Sequence, residues 1–229
     1  MATILQIETA TPVCSVALSI NGNTIALKEE AAQNIHAAKL TLFIDEVMQT
    51  AGLKYADLDA VAVSKGPGSY TGLRIGVSTA KGLCFALDKP LTGINTLQMM
   101  ANGYMSQNPN YEGLICAMID ARRMEVFTAT YNCKLQEVEA TNAKIVDESS
   151  FISILESNPI AFIGDGAEKC RLVLNHQNAD FSSFNFNSAA NMSTLAFTAY
   201  NNQNFEDVAY FEPFYLKDFV FTTPKNKAI

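Results

Sequence analysis

A chain of 229 residues, 48% hydrophobic and 17% charged, has enough apolar material for one large core or two small ones. Its formal charge of −7 argues against a lone binder of nucleic acid, because phosphate contacts need Lys and Arg. Five cysteines at wide spacing, with no CxxC, argue against a disulfide framework or a zinc knuckle and predict reduced, mostly buried thiols at Cys14, Cys84, Cys116, Cys133 and Cys170. The N-terminus has no basic segment followed by an apolar one, and no apolar run reaches the roughly 18 residues of a membrane span, so a soluble, cytoplasmic protein is expected.

Ile4 to Glu8 reads as a short apolar strand. Val13 to Ile20 alternates, with Cys14, Val16, Leu18 and Ile20 on one face, and Asn21-Gly22 predicts a tight hairpin into Thr24–Lys28. A helix is predicted from Ile35 to Ala51, closed by Gly52. Leu40, Ile44, Val47 and Ala51 form one stripe on it, while Leu42, Phe43 and Met48 lie outside that stripe, so its apolar surface is broader than one face needs. A buried strand at Ala60–Ser64, a helix at Thr71–Leu87 and a strand at Leu91–Ile94 follow, then a helix capped by Thr96 and running to about Met105. The polar stretch from Ser106 to Tyr111 is the best boundary, giving domains 1–105 and 106–229, with the C-terminal segment free to return to the first.

The second half repeats the order of strands before helices. Leu114–Ile119 and Glu125–Tyr131 pair through Asp120-Ala121-Arg122-Arg123-Met124, and Phe151–Leu155 is a short helix. Ala161–Ile163 is a buried strand entering Gly164-Asp165-Gly166-Ala167; helices at about Ala167–Asn175 and Asn191–Tyr200 precede an aromatic tail from Phe211 to Lys217, and residues 222–229 are expected to fray. Residues 1–100 carry 7 basic and 8 acidic groups and residues 101–229 carry 9 and 15, so the first half is the less repulsive surface for another macromolecule.

The most informative run is Gly66 to Gly76, reading Gly-Pro-Gly-Ser-Tyr-Thr-Gly-Leu-Arg-Ile-Gly between a strand and a helix. Glycines at such a turn let backbones approach closely, and the helix start can face an anion. No Lys follows the last Gly, so this is no Walker loop, and the spacing is not the dinucleotide fingerprint. Gly72, Gly76 and Ala80, each four apart, form a flat strip. Such a strip packs either on the protein's own sheet or on a partner.

With Ile4–Thr9, Asp120-Ala121-Arg122, Glu125-Val126-Phe127, Gly164–Ala167 and Pro213-Phe214-Tyr215-Leu216, this run makes the chain resemble the TsaB (YeaZ) family of bacterial tRNA-modification proteins along almost its whole length. The resemblance implies an α/β, actin-like fold of the sugar kinase and heat-shock chaperone type, ribonuclease H-like, with two related domains of mixed sheets flanked by helices. It implies a non-catalytic scaffold that pairs with TsaD in threonylcarbamoyladenosine synthesis, joins the ATPase TsaE, meets tRNA only indirectly and forms a homodimer when TsaD is absent. No cofactor is expected of the chain itself; ATP or ADP enters with the complex. The rival is an active phosphotransferase or metallopeptidase-like enzyme of the same fold.

The residues expected to carry the partner interface are Leu40, Phe43, Ile44, Val47, Gly72, Leu73, Gly76, Ala80 and Leu83. Glu8, Thr9 and Thr11 lie where actin-like proteins hold a first phosphate loop, although hydroxyls bonding the local backbone at a strand end are the favoured reading. Gly164, Asp165 and Gly166 read equally as a second phosphate loop or as a plain strand-to-helix turn with an Asp near the cap. No catalytic or metal residue is expected. TsaD-type enzymes hold a metal with two histidines four apart, but here His36 is followed four positions later by Leu40, His176 is remote, and His36 reads as a cap or surface residue. Ser69, Tyr70 and Arg74 lack a nearby His to act as base. For Arg122 and Arg123 a local salt bridge is favoured over a phosphate or tRNA contact.

Overall fold

The computed structural model describes residues 1–182, 184 and 186–217; the expectation about residues 222–229 lies outside the described residues. Two five-stranded mixed sheets form its frame. The first contains β1 (Thr3–Glu8), β2 (Val13–Ile20), β3 (Asn23–Ala31), β4 (Ala60–Gly66) and β5 (Leu91–Asn95), in the order β3-β2-β1-β4-β5. β1 pairs antiparallel with β2 and parallel with β4, and β4 runs parallel to β5. The second sheet contains β6 (Leu114–Asp120), β7 (Glu125–Tyr131), β8 (Glu137–Ile145), β9 (Ile160–Ile163) and β10 (Ala179–Phe181), in the order β10-β9-β6-β7-β8. Its pairings have the same senses, so the two lobes repeat one design.

Local chemistry explains the element boundaries. Asn21 and Gly22 both adopt positive φ, which turns β2 back into β3. α1 (His36–Ala51) ends on left-handed Gly52, whose N–H reaches the Met48 and Gln49 carbonyls. α2 (Tyr70–Leu87) starts on Ser69, whose hydroxyl accepts the Gly72 N–H. α3 (Thr96–Gln107) is capped by Asn95 and not by Thr96, because the Asn95 carboxamide oxygen reaches the Leu97 and Gln98 N–H groups. In the second lobe the helix expected to run to Asn175 shortens to α5 (Ala167–Cys170), after a short α4 (Ile152–Leu155). The last helix, α6 (Ser193–Asn201), follows a 3-10 turn at Ala189–Met192.

Strands β1 and β4 are buried on both faces and need a cover on each side. On one face, Leu5, Ile7, Val61 and Val63 pack under α1 and α2. This corrects the expected interface. Leu40, Phe43, Ile44, Val47 and Ala80 are at most 3% exposed and belong to that core, with Leu83 half-buried against it, and Leu73 is likewise buried. Gly72 and Gly76 are also buried, where α2 crosses Thr9 at the end of β1. The stripe and the flat strip serve the protein's own sheet. On the other face, Ile4, Ala60, Ala62 and Ile94 meet α3 through Leu97 and Met100, the second sheet through Ile115 and Ile163, and the segment after β10 through Phe186 and Met192. The chain returns to the first lobe after β10: the Ala189 N–H donates to Ser15 Oγ at 2.9 Å, Thr24 Oγ1 meets Ser193 Oγ at 2.9 Å, and the Glu206 N–H bonds the Leu91 carbonyl at 2.9 Å.

Four cysteines are buried, Cys133 is exposed, and all five are free thiols. Burial pushes Cys14 and Cys84 up to about 11 and Cys116 up to about 12, so these thiols are inert packing groups. No helix among the described residues is long and apolar enough to cross a membrane.

Candidate functional site: the cleft between the lobes

A cleft of about 540 Å³ lies where corresponding turns of the two lobes face each other. The first lobe contributes Ala10, Thr11 and Pro12 from the β1–β2 turn and Pro67 to Thr71 from the β4–α2 turn. The second contributes Ile119 to Arg122, Phe127 and Asp165. Phe214 to Lys217 complete the wall.

The glycine run has a structural cause at each step. A Cβ on Gly68 would sit 2.5 Å from the Ala10 carbonyl oxygen, and one on Gly66, at φ +113°, would sit 2.6 Å from the Phe214 carbonyl oxygen. At Gly72 and Gly76 it would fall well inside 3.0 Å of the Thr9 carbonyl and hydroxyl oxygens. The run therefore seats the β4–α2 turn on the β1–β2 turn.

Several N–H groups of the two turns are committed within the chain. Ala10 N–H donates to Glu8 Oε1, Ser69 N–H to the Ala10 carbonyl at 2.6 Å, and Gly72 N–H to Ser69 Oγ at 3.3 Å. On the facing side, Gly166 N–H donates to the Met118 carbonyl, Ala167 N–H to the Gly164 carbonyl, and Arg122 N–H to Asp120 Oδ1 at 2.7 Å. Asp165 does not cap α5; its Oδ1 accepts the Asp120 N–H at 3.0 Å and pins the end of β6. Desolvation between the cleft walls raises the Asp165 carboxyl, against the Asp120 N–H that lowers it. Partial burial also pushes Asp120 upward, but the Lys169 ammonium at 2.6 Å and the Arg122 N–H outweigh it and hold that carboxyl below the aspartate norm. Two carboxylates on this wall repel the phosphates of a nucleotide.

Glu8 ends β1 with no exposed surface. Burial pushes its pKa up to about 7, opposed by the Ala10 N–H and the Ser64 hydroxyl, and its Oε2 has no protein partner. Thr9 Oγ1 is likewise buried and unpartnered, whereas Thr11 Oγ1 accepts the Val13 N–H at 3.3 Å, the local backbone bond favoured for this strand end. His36 is not a surface cap: it is 7% exposed and its Nε2 lies 3.2 Å from the Val13 carbonyl. It shares the lining of a second, smaller cavity with Ser69, whose hydroxyl is occupied in capping α2. His176 belongs to the other lobe, where its Nδ1 accepts the Asn178 N–H. Among the described residues no three His, Cys, Asp or Glu side chains gather as a metal site.

The sequence alone assigns the C-terminal segment no role. It straps the two lobes together. Phe211 is buried in the first core and Lys81 Nζ holds its carbonyl at 2.9 Å. Phe214 N–H donates to the Lys65 carbonyl at 2.7 Å, the Tyr215 ring lies 4.8 Å from that of Tyr70, and Lys217 pairs with Glu125 on β7. Arg74 donates to the Tyr70 hydroxyl at 2.6 Å, and the Tyr70–Tyr215 contact brings the Gly66–Gly76 run and the Pro213–Leu216 segment together on one wall. Among the described residues the favoured salt bridge for Arg122 and Arg123 is not made: Asp120 is taken by Lys169 and Glu125 by Lys217.

Two duplicated mixed sheets enclosing a cleft define an actin-like ATPase fold of the sugar kinase type. The family model described as TsaD, tRNA N6-adenosine threonylcarbamoyltransferase, matches residues 27–221. The chain is 31% identical over 166 residues to the tRNA threonylcarbamoyladenosine biosynthesis protein TsaB of Bacillus subtilis, covering 71% of this chain and 70% of that one. It is 38% identical over 128 residues to TsaB of Escherichia coli, covering 56% and 54%. YeaZ from Pseudomonas aeruginosa superposes with a TM-score of 0.80 at 25% identity, over 94% of this chain and all of that one. The chain belongs to the TsaB (YeaZ) family, within the wider TsaD group. The match to the Escherichia coli relative spans about half of that protein's length.

Proposed function

We propose that the chain is a non-catalytic subunit of tRNA threonylcarbamoyladenosine synthesis that pairs with a TsaD-type transferase and favours its active arrangement. The observation that carries this reading is the state of the cleft, where N–H groups of both candidate phosphate loops, at Ala10, Ser69, Gly72, Gly166 and Arg122, already bond the chain's own oxygens. Such a subunit needs no nucleotide of its own. It acts by binding one state of its partner more tightly than another. TsaE joins the same assembly, and a homodimer forms when the transferase is absent.

The outward faces of α1 and α2, and not their buried stripes, are the docking surface in this reading. On α2 the exposed positions Thr71, Arg74, Ser78, Gly82 and Phe85 carry one charge, and that charge is held by Tyr70. Phe85 is 84% exposed and Leu42 on α1 is 57% exposed. A weakly charged α2 face beside large exposed apolar side chains suits a protein partner. Phe85→Asp combined with Leu42→Asp is expected to weaken pairing about tenfold, measured by calorimetry, at an unchanged melting temperature. Equal affinity would move the docking surface elsewhere.

Reconstituted tRNA threonylcarbamoylation with and without the chain tests the function itself. Product formation is expected to slow when the chain is omitted. Equal rates would end the scaffold reading, and brisk ATP hydrolysis by the purified chain would favour a phosphotransferase.

A further inference from the structure

Arg122 and Arg123 occupy consecutive left-handed positions, φ 72° and 48°, in the turn from β6 to β7 at the mouth of the cleft. Glycine or asparagine adopts that conformation with less strain than arginine. Both side chains are exposed, and among the described residues neither guanidinium makes a hydrogen bond, ion pair or ring contact. The surrounding carboxylates are largely neutralised, Asp120 by Lys169 and Glu125 by Lys217, leaving Asp165 as the remaining acid on the cleft wall. Two guanidinium groups thus stand uncommitted at the cleft mouth, with Asp147 and Glu148 following Val146, whose N–H bonds the Met124 carbonyl.

Beside this turn the cleft wall is aromatic. Phe127 and the paired Tyr70 and Tyr215 rings are half-buried, and Phe214 is 41% exposed. An acidic protein surface would use the guanidinium groups and leave these rings idle. A single-stranded RNA segment uses both, with phosphates on the arginine forks and bases against the rings.

We propose that the Arg122–Arg123 turn and the neighbouring aromatic wall hold the phosphates and unstacked bases of an RNA segment at the cleft mouth. The choice of RNA as ligand rests on the proposed role in tRNA modification. The chain then contributes a direct contact to the nucleic acid in addition to supporting its partner. The contact is local and weak, because the rest of the surface repels phosphate.

The test is fluorescence anisotropy of the full chain, without partner, against a fluorescein-labelled unmodified tRNA transcript across a salt series. The variant is Arg122→Asn with Arg123→Asn, which suits the left-handed turn. Its RNA affinity is expected to fall about tenfold at low salt, and the slope of log K against log salt to flatten by about 1.5, as two lost phosphate contacts require. Its melting temperature is expected to stay level or rise. Absence of saturable binding by the unaltered chain, equal affinities and slopes, or a falling melting temperature would each overturn the proposal. Competition by a polyglutamate peptide as effective as competition by RNA would assign the turn to an acidic protein. A chain that supports reconstituted modification but fails this test loses only the RNA contact.

Discussion

Gly72→Ala is expected to cost about 3 kcal/mol of folding stability, whereas Gly82→Ala in the same helix is expected to add about 1 kcal/mol. Propensity alone favours alanine at both positions. At Gly82 nothing lies within 4 Å of the added methyl, so propensity decides. At Gly72 the methyl meets the Thr9 carbonyl oxygen, which belongs to backbone and cannot swing aside as a side-chain tip would. Either α2 or the β1–β2 turn must move, and both are held: Ser69 N–H bonds the Ala10 carbonyl, and Val77 and Ala80 are locked in the core below. Urea unfolding of the two variants beside the unaltered chain measures the contrast. A Gly72→Ala midpoint within error of the parent would show that the two turns slide freely, and the structural explanation of the glycine run would fail.

The glycine run was legible as a strand-to-helix turn, but its cause was not. Gly72 and Gly76 exist for Thr9, and Gly68 for Ala10, residues some 60 positions earlier that meet them only because β4 lies parallel to β1. The same distance hid the destination of the apolar stripes. Helical spacing identifies Leu40, Ile44 and Val47 as one face, but not what covers it, and two strands buried on both faces needed that cover. Arg122 and Arg123 looked ready for a neighbouring carboxylate, yet Lys169, 49 residues away from Asp120, claims it first. β8 escaped notice because Glu137 to Ile145 is a sheet edge with mostly exposed or half-buried side chains, and so lacks the apolar alternation of a covered strand. Nothing in Ile4–Glu8 distinguishes an acid at the lip of a cleft from one sealed beneath it.

That sealed acid makes a prediction about pH. Glu8 has a folded pKa of about 7 against an ordinary value of 4.5, with desolvation as the main cause. Between these values the unfolded chain has lost the proton and the folded chain still holds it. Folding therefore takes up a proton, and stability falls as pH rises through that window, then levels off above it. The displacement corresponds to about 3 kcal/mol, present below the lower value and lost above the upper one. Glu8→Gln removes the titration and keeps the shape, though its second amide hydrogen still lacks an acceptor, so absolute stability is the less informative quantity. The difference between the two proteins across the window isolates Glu8 from other carboxylates, including Asp120, whose lowered value contributes in the opposite sense. Urea unfolding at steps from pH 4.5 to 8 is expected to show the unaltered chain losing about 3 kcal/mol relative to Glu8→Gln. Parallel profiles would mean that water or motion at the strand end keeps this carboxyl solvated. The same measurement then reads on the cleft, because a carboxyl that titrates normally is reached by water at the end of β1, while one held neutral lies sealed beneath the first loop, where the Ala10 N–H bond to its Oε1 only partly offsets the cost of burial.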